Sequence, residues 1–373
     1  MSGIVNIEDM RLKARRRLPK MVFDYLEGGA GSERGLARNR EALDKILFNP
    51  CRLTPVEKRD TSVSLFGKTY SMPLAIAPTG LNGVLWPDGD LVLARAAARY
   101  NIPFCLSTAS TSTIEEVGRA GDGEKWFQLY VLHREQARLF ARRALDAGYT
   151  TLILTVDVAV NGRRERDLRS GFKVPFRISP KIAADAVLHP RWTVSQLAHG
   201  LPELANFASA EATDASSQAA LMNRQMDAGF DWLAFAELRD LWPHKLLIKG
   251  LISAEDVILA EKARADGVIL SNHGGRQLED LPAPIDILLR AKAMTSLPLL
   301  LDSGVRSGCD IIKALAAGAS MALSGRAVLY GLAAAGEAGV REVLDLLISE
   351  IDTTLALVGC ASADALCPDF LHS

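Results

Sequence analysis

Short apolar runs recur along this chain, each ending in a polar or glycine-bearing turn and most followed by a stretch whose apolar residues fall at helical spacing. They are PLAIAPTG from Pro73, PFCLSTAS from Pro103, WFQLYV from Trp126, TLILTVD from Thr151, KLLIKG from Lys245, GVILSNHGG from Gly267, PLLLDSGV from Pro298 and SMALSGR from Ser320. Runs this short and this apolar read as buried strands. The stretches DLVLARAAARYN, REQARLFARRALDAG and GCDIIKALAAGA between them read as amphipathic helices ending near Gly or Asn. Eight strands alternating with helices predict an α/β chain with a parallel sheet, closed as a single (β/α)8 TIM barrel that occupies residues 1–373. Asn6 to Leu47 reads as helices broken at EGGAGSE, and Gly339 to Val358 as a closing helix. The cadence fails once, after the fourth strand, where residues 158–244 hold a long insertion.

Chemistry in such a barrel collects at the C-terminal strand ends. There the sequence puts Pro78, Thr79 and Gly80; Ser107; Gln128 and Tyr130; Thr155 and Asp157; Lys249; Ser271 and His273; Asp302, Ser303, Gly304, Val305 and Arg306; Gly325 and Arg326. Gln128 with Tyr130, Thr155 with Asp157, and Ser271 with His273 each stand two apart, on one face of a strand. The last two ends, DSGVR and SGR, pair glycine with arginine where barrels bind phosphate, so a phosphate-bearing ligand is expected, against the alternative of arginines that merely salt-bridge the rim. Asp157 suits His273 as an orienting partner. Lys249 reads either as half of a buried ion pair or as a fixed charge that stabilises a reduced flavin.

Bulk properties narrow the partners. Hydrophobic residues at 49%, charged residues at 23% and a net charge of −1 describe an ordinary globular chain without the basic excess of a nucleic-acid binder. Five scattered cysteines without CxxC spacing argue against a zinc site and a disulfide framework, and no metal is expected. The opening MSGIVNIEDMRLKARRRLPK lacks the apolar core of a secretory signal, and no run is long enough to span a bilayer, so a cytoplasmic protein is expected.

Four motifs, DYLEGGA at 24–30, TVDVAVNGRRERDLR at 155–169, SNHGGRQ at 271–277 and LDSGVRSGCDIIKALAAGA at 301–319, together resemble the FMN-dependent 2-hydroxy acid dehydrogenases and oxidases, over nearly the whole chain. APTGLNGVLWPDGD, CLSTAS, LHPRW and LRDLWPHKLLIKGLISAED resemble most the branch that oxidises (S)-mandelate. The resemblance implies FMN as cofactor and His273 as catalytic base with Asp157 behind it. It implies Arg164 and Arg276 as a clamp on the substrate carboxylate, helped by Tyr25, with Tyr130 bonded to the substrate hydroxyl or carboxylate. FMN would lie against Pro78, Thr79 and Gly80, touch Ser107, Gln128, Thr155 and Ser271, meet Lys249 at its N1 edge, and lay its ribityl phosphate along Asp302 to Arg306, Gly325 and Arg326. A homo-oligomer, a tetramer as in the family, is implied as well.

The chain departs from the commoner pattern in having DSG for DGG, Gly80 for alanine, and Ala109 where glycolate oxidases carry tryptophan. Two small residues enlarge the substrate pocket and favour (S)-mandelate or an aryl analogue. The same residues serve whether His273 takes the α-proton or the hydroxyl proton. Oxidation by oxygen, as in glycolate or lactate oxidases, is the alternative to reoxidation by a membrane quinone. A flavin-free barrel isomerase or aldolase would have little use for Lys249, Gln128 and NHGGR together, and a barrel that only binds would need no paired histidine.

Phe172 to Ser217 mixes Phe172, Val174, Phe176, Ile178, Ile182, Val187, Leu188, Trp192, Val194, Leu197, Leu201, Leu204 and Phe207 with Lys173, Arg177, Lys181 and Arg191, the composition of an interfacial surface rather than a core. In the family branch it resembles, this segment attaches the enzyme to the cytoplasmic membrane, so peripheral membrane contact through 172–217 is expected. An active-site lid or an oligomer contact is the other reading.

Overall fold

The computed structural model describes residues 3–173, 179–200, 202–207 and 227–372. Three helices come first: α1 (Ile7–Arg17), α2 (Lys20–Glu27) and α3 (Arg34–Lys45). Asn6 caps α1 by accepting from the Asp9 amide at 2.8 Å. Along α3 the buried residues Gly35, Asn39, Ala42 and Leu43 form one face at helical spacing.

A hairpin the sequence reading did not foresee follows, β1 (Val63–Leu65) and β2 (Lys68–Tyr70). Its two-residue loop, Phe66 at φ 54° and Gly67 at φ 80°, has the positive angles of a tight hairpin turn. The Phe66 ring reaches Trp126 at 6.2 Å between centroids, under the N-terminal end of the barrel.

The barrel strands are β3 (Leu74–Thr79), β4 (Phe104–Ser107), β5 (Lys125–Leu129), β6 (Thr151–Thr155), β7 (Lys245–Leu251), β8 (Gly267–Leu270), β9 (Leu299–Leu301) and β10 (Met321–Ser324). They close in the order β10-β3-β4-β5-β6-β7-β8-β9, all parallel, as the eight apolar runs predict. Barrel strands are buried on both faces, which is why β4, β5, β6, β8, β9 and β10 are buried at every position and read as continuous apolar runs.

One irregularity shapes the mouth. The register between β7 and β8 shifts between Lys249 and Leu251. Gly250 there has φ 106°, and a Cβ on it would lie 2.7 Å from the side chain of Asp157. Only glycine combines that angle with that approach.

The closing helix is longer than expected, running Arg326–Val358 rather than beginning at Gly339. It is broken at Ala335 and Gly336, where Gly336 takes φ 59° against the Trp86 indole. A Cβ on Gly331 would lie 2.4 Å from the Gly339 carbonyl oxygen, so bare backbone lets the two limbs meet across the break.

Candidate active site

His273 stands just beyond β8 in a turn of three successive left-handed residues, His273 (φ 58°), Gly274 (φ 63°) and Gly275 (φ 74°). For a residue with a side chain this conformation costs roughly 1–2 kcal/mol, so the surroundings must hold it. They do so through the Ser271 hydroxyl, which accepts from the His273 amide at 3.0 Å, and the Ser303 hydroxyl, which accepts from the Gly274 amide at 2.9 Å. Ser303 itself sits at φ 90°, a glycine-favouring angle, and its hydroxyl contributes a bond that glycine in the commoner DGG would lack.

The imidazole is fixed from both sides. Nδ1 lies 3.0 Å from Asp157 Oδ1, and Nε2 lies 3.4 Å from the Tyr130 hydroxyl, with the two rings stacked 6.5 Å apart. Burial pushes the Asp157 carboxyl up. The charge and hydrogen bond of His273 and the charge of Lys249 outweigh this and leave it below the ordinary carboxylate range, hence ionised at neutral pH.

Lys249 proves to be half of a buried ion pair, 2.9 Å from Asp302, with side chains 5% and 13% exposed. Ser271 bridges them, accepting from Lys249 Nζ at 3.0 Å and donating to Asp302 at 2.7 Å. Burial lowers the ammonium, but Asp302 and Asp157 raise it above the usual lysine value. The carboxylate of Asp302, expected along the ribityl and phosphate, is engaged by Lys249 and Ser271 while the residue still lines the cavity.

Arg164, Arg276 and Tyr25 line the same cavity as His273, which measures about 620 Å³. Arg276 Nη1 donates to the carbonyls of Tyr25 and Gly28 at 2.8 and 2.7 Å, and its guanidinium lies 5.1 Å from the Tyr25 ring centroid. Tyr25 donates to the Gly80 carbonyl at 3.1 Å and stacks on Phe172 at 4.1 Å. Gly80 and Ala109 touch within this cavity, a Cβ on Gly80 falling 3.0 Å from that of Ala109. Gln277, given no role by the sequence reading although it closes SNHGGRQ, ties the loop before Arg164 to the His273 turn. It accepts from the Gly162 amide at 3.0 Å and donates to the Asp157 carbonyl at 3.0 Å.

Two groups of atoms fit FMN. Ser107 donates to Gln128 Oε1 at 2.9 Å, leaving Gln128 Nε2, with Thr155 Oγ1 and Ser324 Oγ, buried and without a hydrogen-bond partner among the described residues. Polar atoms so placed are suited to a planar heterocycle with acceptors and donors on its edge. At the other end Arg306 and Arg326 line the cavity beside Ser303, Gly304, Val305 and Gly325. Burial, with Arg276 and Arg306 nearby, lowers the Arg326 guanidinium to about 9. A cluster of mutually repelling arginines is the environment that a phosphate neutralises. Pro78 and Thr79 line the same space, while Asp302 faces it from its ion pair.

The insertion has two faces. Val187, Leu188, Val194 and Leu197 are 65–80% exposed, but Trp192, Leu204 and Phe207 are buried, against the expectation of a wholly interfacial composition. Trp192 Nε1 donates to the Val84 carbonyl at 2.8 Å and Gln196 to that of Gly83 at 2.9 Å. Asn206 then accepts from the Ile114 amide and donates to Ser110, and Leu204 lines the cavity. Val174, Phe176, Arg177, Ile178 and Leu201 lie outside the described residues, as do 208–217. Among the described residues no helix is long and apolar enough to cross a membrane.

The profile of the family described as FMN-dependent dehydrogenase matches residues 14–373. The chain is 56% identical over 371 residues to an (S)-mandelate dehydrogenase of Pseudomonas putida, covering 100% of this chain and 94% of the relative. An L-lactate dehydrogenase of Caulobacter vibrioides is 41% identical over 363 residues, covering 94% and 93%. Among solved structures, that of the monotopic membrane protein (S)-mandelate dehydrogenase superposes with a TM-score of 0.97 at 56% identity, covering both chains fully. A mandelate oxidase superposes with a TM-score of 0.85 at 34% identity, covering 99% of this chain and 98% of that one.

Proposed function

This chain belongs to the FMN-dependent dehydrogenase family, and from that premise we propose that it oxidises an (S)-2-hydroxy acid with an aryl side chain, (S)-mandelate or a close analogue, to the 2-keto acid. The observation that carries the reading is the meeting of a paired histidine and two arginines with the small residues Gly80 and Ala109 in one cavity. Arg164 and Arg276 hold the carboxylate, with the Tyr25 hydroxyl beside them, and so fix the α-carbon in place. Tyr130 bonds the substrate hydroxyl or carboxylate. His273 Nε2 takes the proton, and Asp157 stabilises the imidazolium that results. FMN would supply the two-electron acceptor, and Gln128, Thr155 and Ser107 would hold its ring and Arg306, Arg326 and the backbone of Gly304, Val305 and Gly325 its phosphate, with Ser271, its hydroxyl engaged by Asp302, Lys249 and the His273 amide, fixing Lys249 beside them. Lys249 contributes a fixed positive charge on the ring side.

The yellow protein, mixed anaerobically with (S)-mandelate, should bleach near ~450 nm, the flavin band. Faster bleaching by glycolate at equal subsaturating concentration would overturn the substrate reading. Ala109→Trp fills the pocket and should turn preference toward glycolate or lactate by roughly 10–200-fold, the range that pocket volume governs.

The electrons pass, on this reading, to quinone in the cytoplasmic membrane, with the protein held peripherally by its insertion. Support comes from the exposed Val187, Leu188, Val194 and Leu197 and from the membrane enzyme it resembles. Because Trp192, Gln196, Leu204, Asn206 and Phe207 pack on the barrel, a Gly/Ser linker should replace only residues 179–188, with Val194→Ser and Leu197→Ser added to remove the rest of the exposed apolar face. The shortened protein should turn over a soluble dye at near-normal rate, fail to sediment with anionic vesicles and fail to reduce vesicle-borne quinone. Sedimentation of the shortened protein would leave the lid or oligomer reading in its place.

A further inference from the structure

The left-handed turn that carries His273 rests on a side chain far from the barrel strands. Asn272, immediately before it, is 1% exposed, and Asn39 on α3 is 3% exposed. Their amides face each other reciprocally: Asn39 Nδ2 donates to Asn272 Oδ1 at 2.9 Å, and Asn272 Nδ2 donates to Asn39 Oδ1 at 2.6 Å. The orientation of the Asn272 amide is fixed by backbone, and that of Asn39 follows from it. Asn272 Oδ1 also accepts from the Gly275 amide at 3.1 Å, and Asn272 Nδ2 also donates to the Pro282 carbonyl at 3.1 Å. Every strong donor and acceptor position on the Asn272 side chain that faces the turn is therefore engaged, and Asn39 supplies one partner to each side.

The rest of α3 is shaped to the same turn. A Cβ on Gly275 would lie 2.9 Å from the Leu36 amide nitrogen, and one on Gly304 would lie 2.9 Å from the Asn39 carbonyl oxygen. Helix and turn thus meet backbone to backbone at Gly275, where the Ala30 amide also donates to the Gly275 carbonyl, and the reciprocal amides are the side-chain bonds that join α3 to the residue just before His273. Apolar contact would hold the two elements together but would leave the angle of the turn unset.

We propose that Asn39 is a positioning residue for the reaction: through Asn272 it fixes the left-handed turn and thereby the distance from His273 Nε2 to the substrate. This rests on the reading of His273 as the base. Asn39 is not among the residues that line the cavity and does not contact His273; its other approach to the site is its backbone against Gly304 on the phosphate side, an effect that FMN affinity would report.

The test uses the FMN-loaded full chain. Asn39→Ala should lower the first-order rate of flavin reduction by (S)-mandelate about 10–100-fold, the scale of a misplaced catalytic group. The dissociation constants of FMN and of the unreactive analogue phenylacetate, read from the flavin spectrum, should change less than threefold. In a His273→Gln background the same substitution should change the residual rate less than twofold, because the group it positions is gone. An unchanged rate in Asn39→Ala, an equal loss in the His273→Gln background, or a loss that tracks weaker FMN binding would each overturn the proposal. Should Asn39→Ala not fold, Asn39→Leu decides, since it keeps the buried volume and removes both amide bonds to Asn272 without adding a charge: a slower rate with FMN retained supports the proposal, and an unchanged one overturns it. Failure of the wild-type flavin to be reduced by any 2-hydroxy acid would instead overturn the reading of the function.

Discussion

Substituting His273→Gln is expected to slow substrate-dependent flavin reduction by about 10²–10⁴-fold while leaving a folded, yellow protein. Glutamine occupies nearly the same volume and can still donate toward Asp157, so the bond that spans 3.0 Å in the wild type has a substitute. What it lacks is a basic nitrogen at the position of Nε2, on the side of Tyr130 and the cavity. Stopped-flow absorbance after anaerobic mixing measures the rate directly, and retention of more than a tenth of it would remove His273 from the proton-accepting role.

The second large effect falls on stability. Lys249→Met removes the cation from a pair whose carboxylate, Asp302, stays buried, and breaking one side of a buried pair costs about 3–5 kcal/mol. Adding Asp302→Asn should restore most of that stability, because the charge left behind is then gone, but should not restore the rate of flavin reduction. Urea unfolding of the apoprotein reads the first quantity and stopped-flow the second. The pair also has a pH signature. The Asp302 carboxyl, pushed up by burial, is pulled below its ordinary 3.8 by Lys249, so its contribution is present above that value and lost as the pH falls through the lowered one. Lys249 lies above its ordinary 10.5, so its contribution is complete below that value and lost as the pH climbs past the raised one. The wild type should therefore lose stability at both extremes relative to the double variant, and parallel profiles would show that the pair contributes nothing.

The eight barrel strands were legible because burial on both faces leaves little but aliphatic residues between Pro or Gly boundaries. The site was legible to the extent that its residues sit at those strand ends. His273, Asp157 and Lys249 could be named from sequence, but not the carboxylate that holds Lys249, since Asp302 belongs equally well to a phosphate loop. Asn39 and Gln277 were missed for another reason: their partners lie 233 and 115 residues away, and nothing local marks an asparagine on a helix as the mate of a distant one. The hairpin at Val63–Tyr70 offers three residues per strand, too few for an alternation to stand out. In the insertion, composition announced apolar surface but could not say that Trp192, Leu204 and Phe207 turn toward the barrel while Val194 and Leu197 turn away.

The docking of α2 and of the segment after α3 on the far end of the chain bears on how the protein is made. Arg326 donates to the carbonyls of Leu26 and Gly28, the Asn49 amide donates to Phe370 and the Cys51 amide to Val358. Gly28 and Arg326 are separated by 298 residues, so at about 5–20 residues per second the first helices leave the ribosome on the order of 15–60 s before their seat exists. Throughout that interval Val22, Phe23 and Leu26, buried in the finished molecule, have no barrel to cover them. The yield of such a chain should depend on a chaperone that shields apolar helices more strongly than that of a barrel whose opening strand pairs as soon as its neighbour emerges, which expression with and without one would measure.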